Sequence, residues 1–99
     1  MDIRIWDLVM KLSIYSLKNI LFQGEASLLN CKTIMGEITV LNNHEPLITV
    51  LSAGVIRIKA ASPAGEASLA QNGREQFFPI KSGFLEVKSD NEVRCIIEQ

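Results

Sequence analysis

The sequence predicts an all-β domain, a sandwich or barrel of about 8–10 short strands. Three observations carry that expectation. Turn signals recur roughly every 7–12 residues, the spacing of short strands joined by tight reversals. They are Gln23-Gly24, Met35-Gly36, Asn42-Asn43, Ser52-Ala53-Gly54, Pro63-Ala64-Gly65, Asn72-Gly73, Ser82-Gly83 and Ser89-Asp90-Asn91. The segments between them alternate apolar and polar, as half-buried strands do because successive side chains point to opposite faces. After residue 20 no segment keeps a helical period.

Taken in order, the first ten residues are ambiguous, because Ile5, Trp6, Leu8 and Val9 fit a helical face or part of a strand. Leu12 to Ser16 alternates and reads as a strand. Leu47 to Leu51 is apolar on both sides, so it should be central or covered by something else. In Val55 to Lys59, Ile56 and Ile58 oppose Arg57 and Lys59. Ala60 to Asn72 is small and polar, a long hairpin connection rather than a linker between domains. In Phe84 to Lys88, Leu85 and Val87 oppose Glu86 and Lys88, and Val93, Cys95 and Ile97 line one face of the last strand.

Composition narrows the function classes. At 99 residues and 47% apolar, the chain is one small globular domain with one modest core. Its 10 basic and 11 acidic residues leave a net charge of −1, without the basic field that nucleic acid requires. The aromatics Trp6, Tyr15, Phe22, Phe77, Phe78 and Phe84 form no base-stacking cluster. No apolar run reaches the roughly 18–20 residues that span a bilayer. Asp2, Arg4, Asp7 and Lys11 interrupt the start, so it is not a secretory signal. Cys31 and Cys95 are expected as reduced thiols packed like small apolar residues.

No catalytic constellation is visible. His44 sits beside Glu45 with Glu37 upstream, but no GxSxG-like nucleophile accompanies it. Neither GxxxxGK[ST] nor GxGxxG occurs. Glu37 and Glu45 lack a third ligand for a cation. The expectation is therefore no catalytic residue, no metal and no cofactor, and a binding or structural role.

Residues 36–59, GEITVLNNHEPLITVLSAGVIRIK, carry more information. Gly36, Glu37, His44, Pro46, Leu47, Thr49 and Gly54 fall in register with a Gly-Glu…His-x-Pro-Leu-x-Thr…Gly pattern, and in this the stretch resembles the epsilon subunit of F-type ATP synthases. Ile20-Leu21-Phe22-Gln23-Gly24-Glu25 upstream and Ser82-Gly83-Phe84-Leu85-Glu86-Val87 downstream are similar to that family's flanking motifs. The likeness runs from about Lys11 to Glu98. It implies a flattened sandwich of two antiparallel sheets. It also implies a non-catalytic rotor subunit of the central stalk, which clamps the gamma subunit to the c ring so that ion-driven rotation reaches the catalytic head. Membrane association would be indirect, at the cytoplasmic face of the bacterial inner membrane. By the same resemblance Met35, Gly36 and Glu37 face the c ring, while Ser16, His44 and Thr49 lie near gamma. Gly24, Pro46, Gly54 and Gly83 serve as structural turn positions.

Four departures qualify that picture. Asn42-Asn43 stands where the family has Pro-Gly, Glu45 where it has Ala, and the Lys59–Phe77 connection is longer than typical. The sequence ends at Gln99, where the family usually continues into two helices, so their inhibitory function is expected to be missing. Residues 1–10 read as an N-terminal extension or an earlier start, and 11–99 as the domain. The competing readings are a free-standing β-sandwich binding module that uses the 60–76 connection, and a small hydrolase built on His44.

Overall fold

The computed structural model describes residues 9–60 and 74–99. Trp6, most of the expected N-terminal extension and most of the 60–76 connection lie outside the described residues. Eight strands follow in order: β1 (Met10–Tyr15), β2 (Ile20–Thr33), β3 (Gly36–Val40), β4 (Leu47–Leu51), β5 (Gly54–Ala60), β6 (Arg74–Ile80), β7 (Ser82–Val87) and β8 (Glu92–Glu98). The hydrogen-bonded order is β1-β8-β7-β4-β2-β5-β6, with β3 also on β2 and β1 returning to pair with β2. The layer β1-β8-β7-β4 thus faces the layer β3-β2-β5-β6, and β2 is shared.

The 14-residue β2 makes this possible. Its register slips between Ala26 and Leu28, where Ala26 opposes Ala60 but Leu28 opposes Lys59. A bulge of this kind adds one residue and exchanges the faces of the strand. Before the slip Ala26 points inward, and after it Leu29, Cys31 and Thr33 do, while Lys32 stays exposed. Leu12 and Ile14 on β1, Ile56 and Ile58 on β5, Leu85 and Val87 on β7, and Val93, Cys95 and Ile97 on β8 complete one core. Each fully buried Leu or Ile there contributes about 1.5–3 kcal/mol.

The all-β expectation holds, with three refinements. First, β1 pairs parallel with β8, Lys11 beside Glu92 through Tyr15 beside Ile96, whereas the other pairings are antiparallel. Second, β4 is not covered by the described chain: Leu51 is buried, but Ile48 is 74% exposed. Third, Gly24 lies inside β2, opposite Leu12, and not at a turn. A Cβ there would meet only the Phe22 ring at 3.6 Å, so space does not demand glycine.

Two other expected turn positions lie on either side of β4. Pro46 immediately precedes β4, where its missing N–H costs no ladder bond. Gly54 opens β5 after the Ser52-Ala53 link, but β4 and β5 do not pair with each other. The link carries the chain from one layer to the other, and Ser52 N–H donates to the Lys32 carbonyl at 2.9 Å as it crosses.

Gly83 is a strand residue held by close approach. A Cβ on it would lie 2.6 Å from the Ile96 carbonyl oxygen and 3.0 Å from Ile97 Cα. Both are main-chain atoms fixed by the β7–β8 ladder, so neither can yield cheaply. Gly83→Ala is therefore expected to lower the urea midpoint by the equivalent of about 1–3 kcal/mol, with an unchanged slope. A midpoint equal to that of the parent would remove the close-approach account.

Candidate partner-docking site

The outer surface of the β1-β8-β7-β4 layer follows from alternation. Residues that flank the buried positions of these strands must face out, and directly paired residues share a face. Tyr15 pairs with Ile20 and lies beside Ile96. Ile96 opposes Phe84, and Phe84 opposes Val50. The result is an apolar row, Ile20–Tyr15–Ile96–Phe84–Val50, across five adjacent strands and roughly 19 Å at the usual strand spacing. Phe84 is 58% exposed and Ile20 60%. The next row is different: Arg94 and Glu86 are paired there at 3.9 Å, beside exposed Ile48. That half-exposed ion pair adds little stability.

The β2–β3 hairpin tip lies against the same end of the layer, because Ile34 N–H donates to the Val50 carbonyl at 3.1 Å. Its turn is closed by Thr33, whose hydroxyl donates to the Gly36 carbonyl at 2.8 Å and accepts from Met35 N–H at 3.0 Å. Gly36 has φ 119°, a conformation that side chains resist. The tip holds Ile34 and Met35 out, the latter 86% exposed. Glu37 turns back along the sheet, its carboxylate accepting from Asn30 Nδ2 at 2.9 Å. Asn30 Nδ2 also donates to Thr39 Oγ1 at 2.9 Å.

Ser16, His44 and Thr49 do not share one surface. Ser16 follows Tyr15 at the apolar end and closes the β1–β2 turn: its N–H donates to the Asn19 carbonyl at 2.8 Å and its hydroxyl accepts from Asn19 N–H at 3.1 Å. Thr49 is half-buried on the side of β4 opposite Ile48 and Val50, in an open groove with Thr33, Glu37 and Ile38. His44 precedes β4 and lies at the other end of the strands. Its Nδ1 is 2.8 Å from the Glu45 carbonyl oxygen, which only accepts, so Nδ1 carries the proton. The ring thus engages a main-chain carbonyl, not the carboxylate or hydroxyl that a hydrolytic triad needs. Alternation missed Ile34, Thr33 and the row itself, since the row depends on pairings between distant segments. The Met35-Gly36 turn signal was the one local cue to the tip.

Among the described residues no three His, Cys, Asp or Glu side chains gather as metal ligands, and no helix is long and apolar enough to cross a membrane.

Residues 9–99 match the family described as ATP synthase, Delta/Epsilon chain, beta-sandwich domain. The chain belongs to that family. It corresponds to the N-terminal β domain of the epsilon chains. It is 33% identical over 79 residues to the ATP synthase epsilon chain of Acinetobacter baumannii strain SDF, covering 80% of this chain and 50% of that one. It is 35% identical over 75 residues to the epsilon chain of Psychrobacter arcticus, covering 76% and 47%. The chain thus spans about half the length of the curated relatives it matches. The fold resembles a chain of the Euglena gracilis mitochondrial ATP synthase OSCP/F1/c-ring structure, with TM-score 0.77, 18% identity, and coverage of 93% and 52%. It also resembles a chain of the Tetrahymena thermophila mitochondrial ATP synthase central stalk/c-ring structure, with TM-score 0.69, 19% identity, and coverage of 91% and 63%.

The two thiols of this family member sit in the core, both free and at most 1% exposed. Burial, then the nearby Glu37 carboxylate, pushes the Cys31 thiol up to about 11, from an ordinary 9.0. Burial first and Cys31 second push Cys95 further up. The unfolded chain therefore loses these protons at lower pH than the folded one. The Cys31 contribution to stability is complete below pH 9.0 and is lost as pH rises through about 11, and the Cys95 contribution is lost at still higher pH. Native protein at pH 8 is expected to resist an aromatic disulfide reagent until denaturant is added. Cys31→Ala should flatten part of the alkaline fall in stability. Fast labelling of the native protein would show the thiols to be open instead.

Proposed function

We propose that this domain is a non-catalytic rotor element of the central stalk of an F-type ATP synthase. It clamps the gamma subunit and couples c-ring rotation to the catalytic head. One observation supports this most. The outer apolar row Ile20–Tyr15–Ile96–Phe84–Val50 and the tip residues Ile34 and Met35 converge at one end of the sandwich. A contiguous exposed apolar surface of this kind marks a protein contact. Family membership supports a partner within the ATP synthase complex, and the row offers that partner a surface. In this reading gamma covers the row, and the hairpin tip Met35-Gly36-Glu37 meets the polar loops of the c ring. Tip and row adjoin, so one rigid end can touch both partners. The membrane is reached only through the complex, at the cytoplasmic face of the inner membrane in a bacterial host.

The tip favours apolar contact over an ion pair. Glu37 is already engaged by Asn30, whereas Met35 and Ile34 present bare hydrocarbon. A free-standing binding module would leave the row wet and has no observation in its favour.

Phe84→Asp and Val50→Asp change exposed side chains and should leave the thermal midpoint within a few degrees. Each is expected to weaken capture of gamma from the assembled complex by about 10–100-fold, as loss of a central apolar contact does. A parent chain that stays monomeric in the presence of both gamma and the c ring would overturn the stalk reading.

A further inference from the structure

The two central strands of the outer face, β8 and β7, carry side chains that match one another couple by couple. Alternation turns Glu92, Arg94, Ile96 and Glu98 outward on β8, because Val93, Cys95 and Ile97 between them are buried. On β7 it turns Ser82, Phe84 and Glu86 outward, and Lys88 just beyond the strand. The ladder sets these side chains level: Ser82 opposes Glu98, Phe84 opposes Ile96, and Glu86 opposes Arg94. Lys88 stands beside Glu92, since its N–H donates to the Glu92 carbonyl at 2.8 Å. Each couple agrees in kind. The Ser82 hydroxyl donates to Glu98 Oε1 at 3.1 Å, and Arg94 lies 3.9 Å from Glu86. Phe84 and Ile96 are both apolar and exposed, and Lys88 and Glu92 have opposite charges.

Such a face is complementary to its own copy. Let a second copy lie on it about a two-fold axis that runs along the strands, between β7 and β8. The rotation puts β8 over β7 of the second copy and keeps the rows in step. Ile96 then meets Phe84 of the second copy, Arg94 meets Glu86, Glu92 meets Lys88, and each contact occurs twice. β1 falls over β4, so Tyr15 meets Val50. An axis across the strands, through the apolar row, serves less well. It sets Arg94 over Glu98 but Glu86 over Ser82, with no cation to meet the carboxylate.

We infer that this face takes a second copy of the chain: the free domain forms a weak isologous dimer, sheet on sheet, about the axis between β7 and β8. The inference goes beyond the docking reading and does not need it. The two share a face but not a partner, so self-association and docking of another subunit exclude each other. Area sets the strength. Four strands and four rows cover about 19 Å by 20 Å, roughly 400 Å² on each copy. A stable interface buries about 800 Å² on each side. A face half that size fits a dimer that forms at roughly 10–100 µM, not a permanent one.

Sedimentation equilibrium of the full chain alone reads the association. The apparent mass is expected to double between about 2 µM and 1 mM, with a midpoint at roughly 10–100 µM. Phe84→Asp should raise that midpoint by about 30-fold or more, because a carboxylate then faces Ile96 in two places. Arg94→Glu and Glu86→Arg should each raise it about 10-fold, since like charges then oppose each other twice. The double variant Glu86→Arg/Arg94→Glu restores every couple, within the chain and between copies. It should return to within about 3-fold of the parent midpoint. Circular dichroism confirms that each variant is folded, and the double variant keeps its cross-strand pair in any case. A parent chain that stays monomeric at about 1 mM overturns the inference. An association that survives Phe84→Asp overturns it as well, because it uses another surface such as an open strand edge. A double variant as weak as the single ones overturns the axis between β7 and β8, and with it the inference.

Discussion

A strand has two edges, yet β2 hydrogen-bonds to β1, β3, β4 and β5. Serving four partners requires length, and the length creates a geometric problem. Fully extended, 14 residues span about 45 Å, more than the 40 Å longest dimension of the molecule. β2 therefore has to bend, and the slip between Ala26 and Leu28 is where its pairing gives. The same slip decides which side chains enter the core. Were the strand regular, Ala26 would put Leu28, Asn30 and Lys32 inside and Leu29 and Cys31 outside. Burying Lys32 without a partner would cost far more than a bulge. The bend and the facing of the second half of β2 are one constraint, and both layers inherit their register from it.

Alternation then determines what the surface must carry. Leu85, Cys95 and Ile97 are inside, so Phe84 and Ile96 are outside, whatever their chemistry. A core filled from eight strands has no room for a second apolar set, and the hydrocarbon of Val50, Phe84, Ile96 and Ile20 stays on the outer face. Apolar positions on both faces of β4 are thus no packing error. One face belongs to this chain's core, and the other is available to a different molecule. The polar chemistry gathers at the opposite end, where His44, Glu45, Lys88 and Asp90 lie.

Much of this was legible in the sequence because it is local. The strands at Leu12–Ser16, Val55–Lys59, Phe84–Lys88 and Val93–Ile97 declare themselves by period two and Leu47–Leu51 by a short run that is apolar on both sides, and the structure has strands at all five. The turn residues were partly legible. Gly24 reads as a turn because glycine usually is one, but it sits mid-strand opposite Leu12. Gly83 reads the same way, and its real constraint is the Ile96 carbonyl, which lies across a ladder that no local pattern reveals. Long-range pairing was the illegible part. The parallel match of β1 with β8 joins segments about eighty residues apart, and the apolar row exists only once that match and the β7–β8 register are known. The separation of Ser16 from His44 was hidden for the same reason. Motif membership puts residues in one list, but only strand direction says that these two stand at opposite ends.

If the domain transmits torque, as proposed, it must resist shear between its layers, and the hydrogen-bonded circuit shows where that resistance is thin. β1, β8, β7, β4 and β2 form a closed ring, but its β4–β2 joint consists of a single ladder pair, Thr33 opposite Leu51. Two main-chain bonds make that pair, Ile34 N–H to the Val50 carbonyl and Ser52 N–H to the Lys32 carbonyl. Both lie at the foot of the β2–β3 hairpin, under the exposed tip. A load applied to Ile34 or Met35 therefore passes first through the weakest seam of the ring. If the tip bears on a rotating partner, a second partner lying across Val50 and Phe84 would bridge this seam from outside. The apolar row is placed where an external clamp would stiffen the domain most.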